Sequence, residues 1–154
     1  MELSQAPIVK AGMLIRRSPS DVFAAFTDPA ITSNFWFSRG SGRLERGARV
    51  TWWWDMYGVS ADVRVVELET DRRILIEWDA PPTQVEWLFA ARPDGTTFVT
   101  ITNSGFQGGG DEVVHKALDS MGGFAYVLAG LKAWLEHGVA LNLVADHSPD
   151  ANVL

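Results

Sequence analysis

The sequence has no cysteine among its 154 residues, which excludes disulfides, thiolate metal sites and a thiol nucleophile together. No apolar run approaches the roughly 20 residues needed to cross a bilayer. The first ten residues hold no basic segment followed by an apolar stretch, so neither a membrane span nor a signal peptide is read. The absence of cysteine fits a reducing cytoplasm. Basic charge is scarce, with 13 Lys and Arg against 19 Asp and Glu for a net charge of −6. Nucleic-acid binding rests on Lys and Arg neutralising phosphates, so that partner is not expected. Arg39, Arg43, Arg46 and Arg49 cluster, and read as a solvated loop and strand edge. His115, His137 and His147 are scattered without ligand spacing, so no metal or other cofactor is expected. No internal repeat or linker divides the chain, and its length suits one domain, with a core over 8–138 and a tail over 139–154.

Aromatic residues, in contrast, are plentiful: seven Trp and eight Phe. Each Trp needs apolar volume, and each indole N–H needs a partner. Residues 8–16 read as a first strand. Ser18-Pro19-Ser20-Asp21 opens a short helix with Ser18 as N-cap and Pro19 in the first helical position. Asp28-Pro29 breaks it, and a second short helix follows over 29–34. Gly42–Glu45 is a candidate short strand. From Arg49 the period becomes two, so that Val50, Trp52 and Trp54 share one face, and further strands follow over 59–65, 74–79, 84–91 and 97–103. Asp55, Asp62, Glu77, Asp79 and Glu86 fall on the outward parity. Gly105–Gly110 is a Gly-rich connection, read either as a gate or as a plain linker. Asp111 is a candidate N-cap of a long final helix with apolar spacing at Val114, Leu118, Met121, Ala125, Leu128, Leu131 and Leu135, closed by Gly138. A meander with one apolar face needs a cover, and this helix supplies it.

The run Ser18 to Pro29, the pair Phe35-Trp36, the strand end Asn103-Ser104-Gly105-Phe106 and the helix end Leu131 to Gly138 together resemble the START/Bet v 1-like (SRPBCC) superfamily, in the branch named after activators of the Hsp90 ATPase. The resemblance covers nearly the whole chain. It implies an α+β helix-grip fold: a curved antiparallel sheet of about six or seven strands wraps a long C-terminal helix, with two short helices after the first strand. It also implies a cavity between sheet and helix, since members bind lipids, hormones, polyketides or other apolar molecules and some are cyclases. The co-chaperones behind the branch name are longer and carry an additional domain that engages the chaperone. This sequence reads as one module, so that role is not expected to transfer.

Parity turns Trp52, Trp54, Trp78, Trp87 and Phe89 inward, places Phe35 and Trp36 near an entrance, and puts Met121 and Phe124 on the helix beside the same space. These rings either line a ligand cavity or fill the core. Asn103, on the parity of Val99 and Ile101, is either a polar anchor in the cavity or a satisfied amide at the strand end. The first expectation is a binder of a small apolar, flat molecule. A polyketide cyclase or aromatase is the second, and needs an ionisable side chain turned into the cavity, for which Arg64 or Glu67 would have to swing through a bulge. An interaction module is the third, with an exposed Trp53 and the apolar tail docking a partner or a second copy in a homodimer. Ser104 and His115 form no nucleophile and base, because no strand–turn–helix elbow surrounds Ser104.

Overall fold

Alternating apolar residues from Arg49 onward build a sheet with one buried face. The structure, a computed structural model, describes residues 2–150. Its strands are β1 (Val9–Ile15), β2 (Arg39–Gly40), β3 (Arg49–Trp54), β4 (Val59–Glu69), β5 (Arg73–Trp78), β6 (Thr83–Ala91) and β7 (Thr97–Ser104). Its helices are α1 (Pro19–Thr27), α2 (Pro29–Thr32), α3 (Gly110–His137) and α4 (Leu143–Asp146). The sheet runs β1-β7-β6-β5-β4-β3-β2 with every pair antiparallel. Strands β3 to β7 form the meander, and β1 closes the far edge beside β7.

Local chemistry sets the helix ends. Ser18 Oγ accepts the Asp21 N–H at 3.2 Å, and Asp28 ends α1 and caps α2 through the Ala30 N–H at 3.0 Å. Gly138, at φ 64, ends α3 in the left-handed conformation that glycine adopts without penalty. Several boundaries differ from expectation: α2 ends at Thr32 and not at 34, and β4 runs on to Glu69. The short strand lies at Arg39–Gly40 and not at 42–45, because Gly40 lies opposite Trp52 in the β3 register. The N-cap of α3 is Gly109 and not Asp111, which lies in the first helical turn where an acid is favoured by the dipole.

Helix α3 lies across the concave face. Phe124, Val127, Leu128 and Leu131 are buried, with Val63, Val65, Ile74, Ile76, Val99 and Ile101 from the sheet in the same core. The sequence stripe through Val114, Leu118, Met121 and Ala125 is displaced by one residue. Leu118 (68% exposed), Met121 (44%) and Ala125 face outward, while Val113 and Phe124 are buried. Both sets recur at three and four, so periodicity alone does not choose between them. The helix C-terminus is bolted to β1: Lys132 donates to the Leu14 carbonyl at 2.8 Å, and Glu136 accepts from Lys132 at 2.6 Å and from the Arg16 N–H at 3.1 Å. Burial works against the Glu136 charge, but these hydrogen bonds outweigh it and hold the carboxyl below its ordinary range.

The outer sheet face carries the charges. Arg64 pairs with Glu77 and Arg73 with Glu86, while Arg46 reaches Glu67 across the bulge between Val65 and Glu67. Despite that bulge, Arg64 and Glu67 therefore stay on the outer face and away from the core. Arg39 pairs with Asp55 and Arg43 with Asp28, so much of the basic cluster is neutralised within the chain.

Candidate functional site

The aromatic residues form one continuous network, with Trp36 at its centre. This indole meets Trp52 at 4.9 Å, Trp54 and Phe124 at 5.9 Å, Trp78 at 6.0 Å and Trp87 at 6.1 Å between ring centroids. Most of the rings that parity turns inward fill space and do not line it. Trp52 stacks on Phe37 at 5.1 Å and is 1% exposed. Trp87 is buried behind Trp36 and Phe124, and Phe89 packs deep against Phe23 and Phe26. Phe35 is buried under α3, where Gly130 permits the approach: a Cβ there would stand 3.2 Å from both the Phe35 Cβ and its carbonyl oxygen. Trp54 is half-buried between Trp36 and Trp78.

The open space lies at one end of the grip. A cavity of about 420 Å³ is bounded by the start of α3, the β5–β6 turn, the end of β7 and the Gly-rich connection. Trp36, Trp78, Phe106 and Phe124 supply its apolar walls. Asn103 also lines it, whereas Met121 does not; the residue one turn position earlier, Ser120, does. That is the displaced helix register seen at the level of the site. Trp53 differs from expectation as well: it is half-buried, with the Arg39 guanidinium 4.1 Å from its ring centroid.

A chain of hydrogen bonds forms the polar wall. Ser120 Oγ donates to Asn103 Oδ1 at 2.8 Å. Asn103 Nδ2 donates to the Gln84 carbonyl at 2.7 Å and to Thr83 Oγ1 at 3.2 Å. Thr83 Oγ1 in turn donates to Asp79 Oδ2 at 3.3 Å. The Gln84 carbonyl can only accept, which fixes which way the Asn103 amide faces. Asn103 is therefore both a satisfied amide and a cavity residue. Lys116 lies on the rim, held by the Gln107 carbonyl and Glu112, each at 3.0 Å. Asp119 is also on the rim and pairs with His115 at 3.3 Å.

Asp79 is the residue that sequence reading placed on the wrong side. It follows the last residue of β5 with φ 72, a left-handed conformation in which the two-residue alternation no longer holds. Its carboxylate consequently stands between the cavity and a polar groove on the outer face, where Arg64, Glu77 and Asp62 lie. Burial pushes its carboxyl above the ordinary range, and the Thr83 hydroxyl and Lys116 offset this only in part. Phe106, Lys116 and Ser120 were also missed, since a loop aromatic, a lysine and a serine carry no periodic apolar signal. Among the described residues no group of three His, Asp or Glu side chains could hold a metal ion, and no helix is long and apolar enough to cross a membrane.

A seven-stranded antiparallel sheet gripping one long helix, with an aromatic cavity at one end, defines a helix-grip protein of the START/Bet v 1-like type. The chain belongs to the family of activator of Hsp90 ATPase homolog 1-like proteins, whose model matches residues 16–136. The protein SSP2350 from Staphylococcus saprophyticus is similar in structure (TM-score 0.77) at 30% identity, over 88% of this chain and 96% of that one. DynU16, a protein of the dynemicin biosynthetic locus, shares the fold (TM-score 0.75, 23% identity) over 86% of this chain and 48% of its own. So does the Aha1 dimer from Colwellia psychrerythraea (TM-score 0.72, 20% identity), over 86% and 98%. No curated protein matches the sequence.

Proposed function

We propose that the protein binds a small, flat, mainly apolar molecule in the end cavity, with its ring system against Trp36, Trp78, Phe106 and Phe124 and its polar end toward Ser120, Asn103 and Asp79. The observation that carries this reading is the cavity itself: about 420 Å³ of open space beside aromatic rings in an otherwise packed core. Sites for small molecules run from about 300 to 1,000 Å³ and join apolar walls to a few fixed polar groups. A fold neighbour from a biosynthetic locus supports the handling of small molecules.

Gly123 supplies the test. It lines the cavity, and a Cβ added there meets nothing within 4 Å. Gly123→Leu fills the space from a helical position where leucine is favoured, so the fold is retained. In the wild type, a panel of naphthalene and indole derivatives is expected to shift the indole N–H resonances of Trp36 and Trp78 and leave that of Trp53 unmoved. In the variant the same panel is expected to bind at least about tenfold more weakly. The reading fails if no member of the panel moves these resonances, or if Gly123→Leu binds as tightly as the wild type.

Asp79 alone favours a second reading, proton transfer to or from the bound molecule, because a carboxyl of raised pKa beside a cavity suits a general acid or base. Turnover abolished in Asp79→Asn with binding retained is its expected signature.

A further inference from the structure

The hydrogen bonds of the polar wall all run one way. Ser120 gives its proton to Asn103, Asn103 gives both of its protons to Gln84 and Thr83, and Thr83 gives its proton to Asp79. Every side-chain donor in the series is spent inside the protein. What the wall offers a ligand is lone pairs: those of Ser120 Oγ, the second pair of Asn103 Oδ1, and the Asp79 carboxylate. The donor on the opposite rim, Lys116, gives two of its three N–H groups to Gln107 and Glu112, and its charge offsets only part of the burial that raises Asp79. The Trp78 indole N–H has no partner among the described residues, but that atom is fully buried and not open to the cavity. Gln107, also on the rim, has an amide that can either donate or accept.

The charges point the same way. The groups on or beside the rim are Asp79, Asp119 and Glu112 against Lys116 and, when protonated, His115. Asp79 is the one without a strong partner, since its single side-chain bond, from Thr83, is long at 3.3 Å. A partly buried carboxylate with one weak donor gains most from a charged donor, and aromatic faces add cation–π attraction for the same group. We propose that the cavity selects a flat aromatic molecule bearing a protonated amine, with the ammonium on Asp79 and beside Ser120 and Asn103. This inference rests on the binding role proposed for the cavity and specifies which ligands it takes. It excludes aromatic carboxylates, whose lone pairs would face the lone pairs of the wall.

Three probes of one shape test it at neutral pH: naphthalen-2-ylmethylamine, naphthalen-2-ylmethanol and naphthalen-2-ylacetate, titrated against wild type and Asp79→Asn by indole N–H shifts. Asn tolerates the left-handed backbone at this position, so the variant keeps the turn, and its unchanged spectrum away from the cavity confirms the fold. The amine is expected to bind about tenfold or more tighter than the alcohol, the scale of one charge-assisted hydrogen bond, and the carboxylate most weakly. In Asp79→Asn the gap between amine and alcohol is expected to close to about twofold, because the amine loses far more affinity than the alcohol. If the alcohol or carboxylate binds as tightly as the amine, or if Asp79→Asn preserves the amine's advantage, selection for a cation is overturned and the cavity reading stands. If none of the three binds, both fall together.

Discussion

At the scale of single residues, Asp79 carries both the ligand selection proposed above and a pH response. Burial raises its carboxyl pKa in the folded chain, with the Thr83 hydrogen bond and Lys116 acting against that shift. An acid whose folded pKa is raised binds its proton more tightly folded than unfolded. The fold therefore loses stability as pH rises from the ordinary carboxylate range through the raised value, and the loss is complete above it. Asp79→Asn removes this penalty. The variant is expected to melt about 1–3 °C above the wild type at neutral pH, a modest shift because the group is partly hydrated. That advantage should shrink as pH falls toward the ordinary Asp range. Asn is also at home at φ 72, so a gain that does not vary with pH reports the backbone, and only the varying part reports the charge. Melting curves across the acid range separate the two, and a constant gain would refute the charge argument.

At the scale of elements, two of the glycines of α3, Gly122 and Gly130, have opposite roles. Gly130 lies against Phe35, where a Cβ would stand 3.2 Å from the Phe35 carbonyl oxygen and Cβ. The atoms that must yield belong to the backbone and the root of a buried ring, so they cannot swing aside. Gly122 faces open space, with nothing within 4 Å of a Cβ. Helix propensity favours alanine by about 1 kcal/mol at both positions. Gly122→Ala is expected to stabilise the protein by about 0.5–1 kcal/mol, whereas in Gly130→Ala the clash is expected to exceed the propensity gain and leave a net loss of about 1–2 kcal/mol. Urea denaturation of the two variants checks this, and equal signs would show that Phe35 does not set the helix distance. The same helix explains how the site was misread. Leu118 and Met121 carry a stronger apolar signal than Ala117 and Ser120, yet the latter stripe is the one turned toward the sheet, because Phe124 and Val127 anchor that face.

At the scale of the whole molecule, the fold was legible because strand alternation, the Ser18 cap and Gly138 all agree with it, as does the family resemblance carried by the run Ser18 to Pro29 and the helix end Leu131 to Gly138. The cavity was less so. Parity tells which rings point inward, but how far inward rings fill the space beneath a helix depends on packing between elements distant in sequence. Trp36 shows the limit. It forms one wall of the end cavity and also backs a groove on its other side, which α4 lines with Leu143, Val144 and Ala145. The tail is fastened there by the Tyr57 hydroxyl, which donates to the Val144 carbonyl, while the His147 ring lies tilted against Tyr126 at 4.8 Å between centroids. Two openings on opposite sides of one rigid indole should behave independently. Tyr57→Phe removes the hydroxyl and about 1 kcal/mol of tail anchoring. Amide exchange at Asp146 and His147, which bond back to Asn142 and Leu143, is then expected to quicken about fivefold, with α3 and β5 to β7 unchanged. Affinity for naphthalen-2-ylmethanol should stay the same. Weakened binding in Tyr57→Phe would instead mean that Trp36 shifts when the tail loosens, and that the cavity and the tail groove are two ends of one mechanical unit.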